Sequence, residues 1–203
     1  VSFYIPEYRH WTLSQDMTAA YQWHQQFLQH LQVDYSEQRW VLKTPPHLAY
    51  LDTLIKQYPD AAIAQTHRAP MAVLASISSL SCTLHSAFSD DIDPVAIAQA
   101  EAEYFSEMLR LGMEQRAAMP DEGSRVFDIQ FDDIISDPIQ VIENLYRHFD
   151  FDFGDTVREA MQRYLDNRPR DKHGEHHYTL EKFGLSERQH GPLFADYCKR
   201  FDL

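Results

Sequence analysis

Two short apolar runs in this chain each end in a cation and then enter a helical pattern. Trp40-Val41-Leu42 stops at Lys43, and Ala61 to Thr66 stops at His67-Arg68. Short β-prone runs alternating with helical segments mean βα units and a parallel sheet, and such sheets bind ligands just beyond the carboxyl ends of their strands. The pattern therefore puts Lys43 and Arg68 on one rim, where they would attract a small anion. Ser76, eight residues after Arg68, falls two turns into the following helix. His47 lies at the amino end of the helix after Lys43, a position that also suits a merely solvated first-turn histidine.

Other residue groups suggest other chemistry. Arg125 to Phe131 is a third strand candidate, and Asp132-Asp133 at its end could hold Mg²⁺ as paired acids do in nucleotide hydrolases. His173, His176 and His177 form an HxxHH cluster that could bind a transition metal if helical, although Gly174 interrupts it and no Cys or acid motif completes it. Arg163, Arg168, Arg170 and Lys172 gather among few acids, a local reversal of the overall charge. Cys82 and Cys198 are too few for a disulfide framework and lack metal-ligand spacing, so both read as reduced and buried.

The elements that must position these groups are mostly helices. Ser14 or Asp16 caps a helix in which Met17, Ala20, His24, Phe27, Leu28 and Leu31 recur at helical spacing to about Val33. After the turn Thr44-Pro45-Pro46, a helix runs from about His47 to Tyr58. Pro70 fits the first turn of the next, with Val73, Leu74, Ile77, Leu80 and Leu84 behind it. Asp93-Pro94 opens a long helix to about Met119, Asp137-Pro138 another, and Asp155 a third. Near the end, Gly191-Pro192 interrupts a helix carrying Phe194, Tyr197 and Phe201.

The chain has 203 residues, 44% of them hydrophobic, enough for one domain with a substantial core. No apolar run approaches the ~20 residues of a membrane helix, and the opening VSFYIPEYRH does not resemble a signal peptide. A cytoplasmic protein with no membrane partner is expected. The net charge of -13 argues against nucleic acid, because phosphate-backbone affinity needs a basic surface field. The first residue is Val, and the chain reads as beginning partway through a domain.

Between Trp40 and Gly184 the residues resemble the sulfotransferases that use 3'-phosphoadenosine 5'-phosphosulfate (PAPS), especially their bacterial small-molecule branch. In that family an Arg at a strand end, an Asn-Pro or Asp-Pro, and a Ser eight residues after the Arg grip the 3'-phosphate. The matching residues are Arg68, Pro70 and Ser76. A Leu-Lys-x-Pro-x-His-Leu segment is matched by Leu42, Lys43, Pro45, His47 and Leu48, and NRPRDKHGEHHYTLEKFG, from Asn167 to Gly184, is similar to the branch's C-terminal loop. The family's Tyr-Glu-Asp followed by Asp-Pro is matched by Phe131, Asp132, Asp133, Asp137 and Pro138, with Phe131 lacking the hydroxyl of the nucleotide-binding Tyr.

The resemblance implies a P-loop-NTPase-like α/β fold, a parallel sheet flanked by helices, over residues 1–203. It implies sulfuryl transfer from PAPS to a hydroxyl or amine of a small-molecule acceptor, without a metal. His47 would be the general base and Lys43 would face the phosphosulfate. Arg68 and Ser76 would hold the 3'-phosphate, Phe131 would contact the nucleotide, and Arg170, Lys172 and Gly174 would close over it. Family members begin with a strand and a Ser-Gly-Thr-Thr-like loop that cradles the 5'-phosphosulfate. No such loop occurs here, so the chain is expected to be the C-terminal part of the domain, its sheet incomplete at the N-terminus. It would be inactive alone, with an open edge prone to aggregation or to pairing, as in a homodimer. Two alternatives stand beside this reading: a non-catalytic nucleotide-binding fragment, and a metal-dependent phosphohydrolase using Asp132, Asp133 and His173, His176 and His177.

Overall fold

The computed structural model describes residues 3–35, 39–167 and 179–203. Its centre is a pair of parallel strands, β1 (Ile63–His67) and β2 (Val126–Gln130), in register from Ile63 opposite Val126 to His67 opposite Gln130. Parallel neighbours need a long crossover, and two helices supply it: α4 (Pro70–Ser86) and α5 (Pro94–Ala117). Both strands therefore end on the same side.

The helix starts follow local chemistry. Pro70 and Pro94 occupy first-turn positions where a missing N–H costs nothing. The Asp93 carboxylate accepts from the amides of Val95 and Ala96, at 2.9 and 3.1 Å, satisfying two donors that the helix leaves free. Ahead of β1 come α1 (Pro6–Leu13), α2 (Thr18–Leu31), a 3-10 segment (Pro45–Tyr50) and α3 (Leu51–Gln57). The short α6 (Glu122–Arg125) leads into β2. It is followed by α7 (Phe131–Ser136), α8 (Pro138–His148) and α9 (Asp155–Asp166). The chain closes with α10 (Glu187–His190), a 3-10 turn (Gly191–Phe194) and α11 (Ala195–Phe201). Gly191-Pro192 thus replaces one helix by two short ones, and Phe194, Tyr197 and Phe201 all reach the core.

That core joins Met71 and Leu74 of α4, Ala98, Ala102 and Leu109 of α5, and Phe183, Leu185, Phe194, Tyr197 and Phe201. The buried face of α4 is Met71, Leu74, Ala75, Ser78, Ser81 and His85, whereas Leu80, expected inside, is exposed. Small residues let α4 approach α5 closely, and the Ser81 hydroxyl donates to the buried Glu101 carboxylate at 2.7 Å. Arg9 of α1 completes that site with two contacts to Glu101, at 2.8 and 3.0 Å. The rest of the expected face holds, with Leu74 buried and Ile77 packed on the core; Leu80 turns outward beside Ser81, which serves the buried carboxylate.

Trp40 to Leu42, expected as a strand, forms none. Among the described residues no strand lies beside it to complete a ladder, and Val41 is 91% exposed. Trp23, Phe27 and Leu31 stand exposed on one face of α2. Among the described residues no helix is long and apolar enough to cross a membrane.

Candidate active site

Arg68 follows directly on β1 and Phe131 directly on β2, so the strand register sets them side by side. The Arg68 guanidinium carbon lies 4.4 Å from the centre of the Phe131 ring, a cation–π contact at the common carboxyl edge of the sheet. Arg68 is exposed and Phe131 half-buried. The amino end of α4 begins two residues after Arg68, adding the partial positive charge of a helix terminus to the same edge. Ser76 lies farther along α4 and is half-buried.

A polar network built on the buried His67, Arg116 and Tyr197 fixes this edge from below, with the Asp128 carboxylate partly open to solvent. His67, the last residue of β1, is 1% exposed; its Nε2 lies 2.7 Å from Asp128 Oδ1, and its Nδ1 lies 2.7 Å from the Tyr197 hydroxyl. Carboxylates only accept, so Nε2 carries a proton toward Asp128, while Nδ1 pairs with the Tyr197 hydroxyl. Arg116 of α5 donates to both oxygens of Asp128, at 2.6 and 2.8 Å, and also to Gln65 and Glu122. Phe201 stacks on His67 at 3.9 Å. Burial would raise the Asp128 carboxyl pKa, but hydrogen bonds and charge from Arg116 and His67 outweigh it and hold the group well below the usual carboxylate range. Burial pushes the Tyr197 phenol up to about 12. None of these roles was read from the sequence: Arg116 and Asp128 sit among ordinary helix and strand residues, and Tyr197 is 130 residues from its partner.

His47 belongs to a second cluster. Its Nδ1 lies 2.6 Å from the Tyr21 hydroxyl of α2, and its ring centre lies 6.1 Å from that of His24. His24 in turn meets the Tyr58 hydroxyl at 2.6 Å. Burial, and then the neighbouring His24, push the His47 pKa below its ordinary value, so the ring is neutral near neutral pH. The alternative of a freely solvated first-turn histidine does not hold, since His47 is half-buried and bonded. The segment carrying it is anchored on α5, where Gln115 donates to the Ala49 carbonyl at 2.8 Å and accepts from the Asp52 amide at 3.1 Å.

Lys43 is exposed in the extended approach to this segment. Among the described residues, no hydrogen bond, ion pair or ring contact joins Lys43 or His47 to Arg68, Ser76 or Phe131. Arg170, Lys172 and Gly174, expected over the nucleotide, lie outside the described residues, as do His173, His176 and His177. Asp132 and Asp133 are exposed in the first turn of α7. Among the described residues, no group of three or more His, Cys, Asp or Glu is arranged to hold a metal.

Residues 5–155 match the model of the sulfotransferase family. The chain belongs to that family. The solved structure of sulfotransferase STF1 from Mycobacterium tuberculosis H37Rv is similar over 95% of this chain, with 30% identity and a TM-score of 0.83. Sulfotransferase STF9 from Mycobacterium avium is similar over all of it, with 24% identity and a TM-score of 0.89, a likeness of fold. This sulfotransferase-family chain spans about half the length of each, 49% and 52%. No curated protein matches it. The expected fold class, a P-loop-like parallel sheet flanked by helices, holds, although the described sheet has two strands.

Proposed function

We propose that residues 1–203 form part of a sulfotransferase domain that moves a sulfuryl group from PAPS to a hydroxyl or amine of a small-molecule acceptor. The observation that carries this reading is the Arg68–Phe131 pair, an exposed guanidinium braced by an aromatic face at the shared carboxyl edge of two parallel strands. Such a cation, next to a helix amino end, fits a phosphate oxygen, and the neighbouring ring offers a surface for a nucleotide. Family membership supports the reaction class.

PAPS, when bound, supplies the sulfuryl group, joined through oxygen to its 5'-phosphate. The protein's share of such a transfer is chiefly alignment and charge stabilisation. Arg68 and Ser76 would hold the 3'-phosphate, with Arg170, Lys172 and Gly174 as further candidates for that contact. His47, held neutral, would take the proton that the acceptor's oxygen or nitrogen gives up. Lys43 would offset negative charge at the 5'-phosphate end of the donor.

Calorimetric titration of the chain with adenosine 3',5'-bisphosphate and with 5'-AMP tests the nucleotide site. The bisphosphate is expected to bind more tightly, and Arg68→Ala is expected to erase the difference. Equal affinity of the wild type for both nucleotides would remove the 3'-phosphate site.

A further inference from the structure

The second cluster contains a hydrogen bond that bears on how His47 handles a proton. Tyr21 is one of the two buried residues of α2, and its hydroxyl covers Nδ1 of His47 at 2.6 Å. A proton arriving at the ring must therefore arrive at Nε2, and Nε2 can take it only if the resting ring carries its own hydrogen on Nδ1. We propose that Tyr21 is a positioning residue for His47: its phenol oxygen accepts the Nδ1 proton, fixes the ring, and leaves the Nε2 lone pair free for the acceptor hydroxyl.

The surroundings suit that role. Burial, with Tyr50, Tyr58 and Asp52 nearby, drives the Tyr21 pKa upward, so the phenol stays protonated and neutral and does not pull a second proton onto the histidine. The groups facing His47 are Tyr21 and His24 from α2, and Lys43 precedes it on its own segment. His24 is occupied by the Tyr58 hydroxyl and does not compete for Nδ1. Once Nε2 has taken a proton the ring carries two N–H groups, and Tyr21 then serves as the acceptor of the imidazolium's Nδ1–H. It supports both the resting tautomer and the product of proton transfer, as the orienting third member of a nucleophile–base–orienter set does.

This rests on the reading of His47 as general base, so the test has an arm that does not need turnover. Tyr21→Phe keeps the ring and removes only the oxygen. In the full chain with ¹⁵N-labelled histidine, nuclear magnetic resonance reads the tautomer and pKa of His47. The variant is expected to shift the neutral ring toward the Nε2–H tautomer and to lower the His47 pKa further, because the cation loses an acceptor. A rise in that pKa, or an unchanged tautomer, would mean that Tyr21 donates to Nδ1 or does nothing, and would overturn the proposal. Tyr58→Phe, which touches His24 instead, should leave the His47 tautomer unchanged and serves as the folding control. In a transfer assay of the full-length protein Tyr21→Phe should lower kcat roughly tenfold with the nucleotide constant unmoved, the split expected of a group acting on the acceptor side. If Tyr21→Phe changes the His47 tautomer as predicted but the full-length protein transfers nothing from PAPS to any small hydroxyl or amine compound, the sulfotransferase reading fails while the Tyr21 assignment stands.

Discussion

Gly112 lies against Leu48 so closely that a Cβ there would fall 2.6 Å from the Leu48 Cγ and Cδ1 and 3.1 Å from its carbonyl oxygen. A long helix thus reserves one position without a side chain for the segment that carries His47. Alanine would gain about 1 kcal/mol of helix propensity, but the overpacking penalty of about 1–3 kcal/mol is larger because backbone as well as side chain stands in the way. Gly112→Ala should therefore lower stability by about 1 kcal/mol and reduce turnover by displacing His47. A urea midpoint equal to or above that of the wild type would show that the segment yields without cost.

In the full-length protein His47→Ala is expected to cut turnover by a factor on the order of 10² to 10⁴, with nucleotide affinity almost unchanged, since a general base acts on the acceptor. Steady-state kinetics paired with calorimetry separates the two quantities. A parallel loss of nucleotide affinity would reassign the residue to nucleotide contact.

Phe131→Tyr should tighten adenosine 3',5'-bisphosphate binding by about 1 kcal/mol, roughly fivefold, by adding one hydrogen-bonding group where the ring already meets Arg68. Phe131→Ala should weaken binding because Arg68 loses the surface that orients it. If neither change alters the titration, the ring is not part of the nucleotide site.

Acid should loosen the edge of the sheet. The folded-state pKa of Asp128 is depressed below the unfolded value of 3.8, so its contribution is present above that value and is lost as pH falls through it toward the folded pKa. Urea midpoints should thus decline below about pH 4, and Asp128→Asn should flatten part of that decline while lowering stability at neutral pH. An unchanged slope in the variant would shift the acid sensitivity to other carboxylates.

Legibility in the sequence followed the range of the interactions. Asp93-Pro94 and Asp137-Pro138 announced their helices because an N-cap is satisfied within three residues, as the Asp137 contact to the Gln140 amide at 3.0 Å illustrates. The alternation of apolar runs and helices likewise led to β1 and β2 within a residue or two. Trp40 to Leu42 did not become a strand, because strand formation depends on a neighbour that a sequence pattern does not reveal. Arg68, Phe131 and His47 were picked out by motif, but Tyr21 was invisible: it meets His47 only after α2 folds back across 26 residues. The same holds for His67 and Tyr197, which local periodicity shows as a strand end and a helix position.

The contact between Arg9 and Glu101 has a mechanical meaning. Glu101 is 1% exposed, and two of its three hydrogen bonds come from a helix 92 residues earlier in the chain. If α1 swung away, the core would keep a carboxylate with one hydroxyl for company, an arrangement that typically costs ~3–5 kcal/mol. The first helix is therefore latched rather than merely laid on the surface. A protease cutting between Leu13 and Thr18 would leave the fragment clamped in place, released only when the bundle beneath it opens.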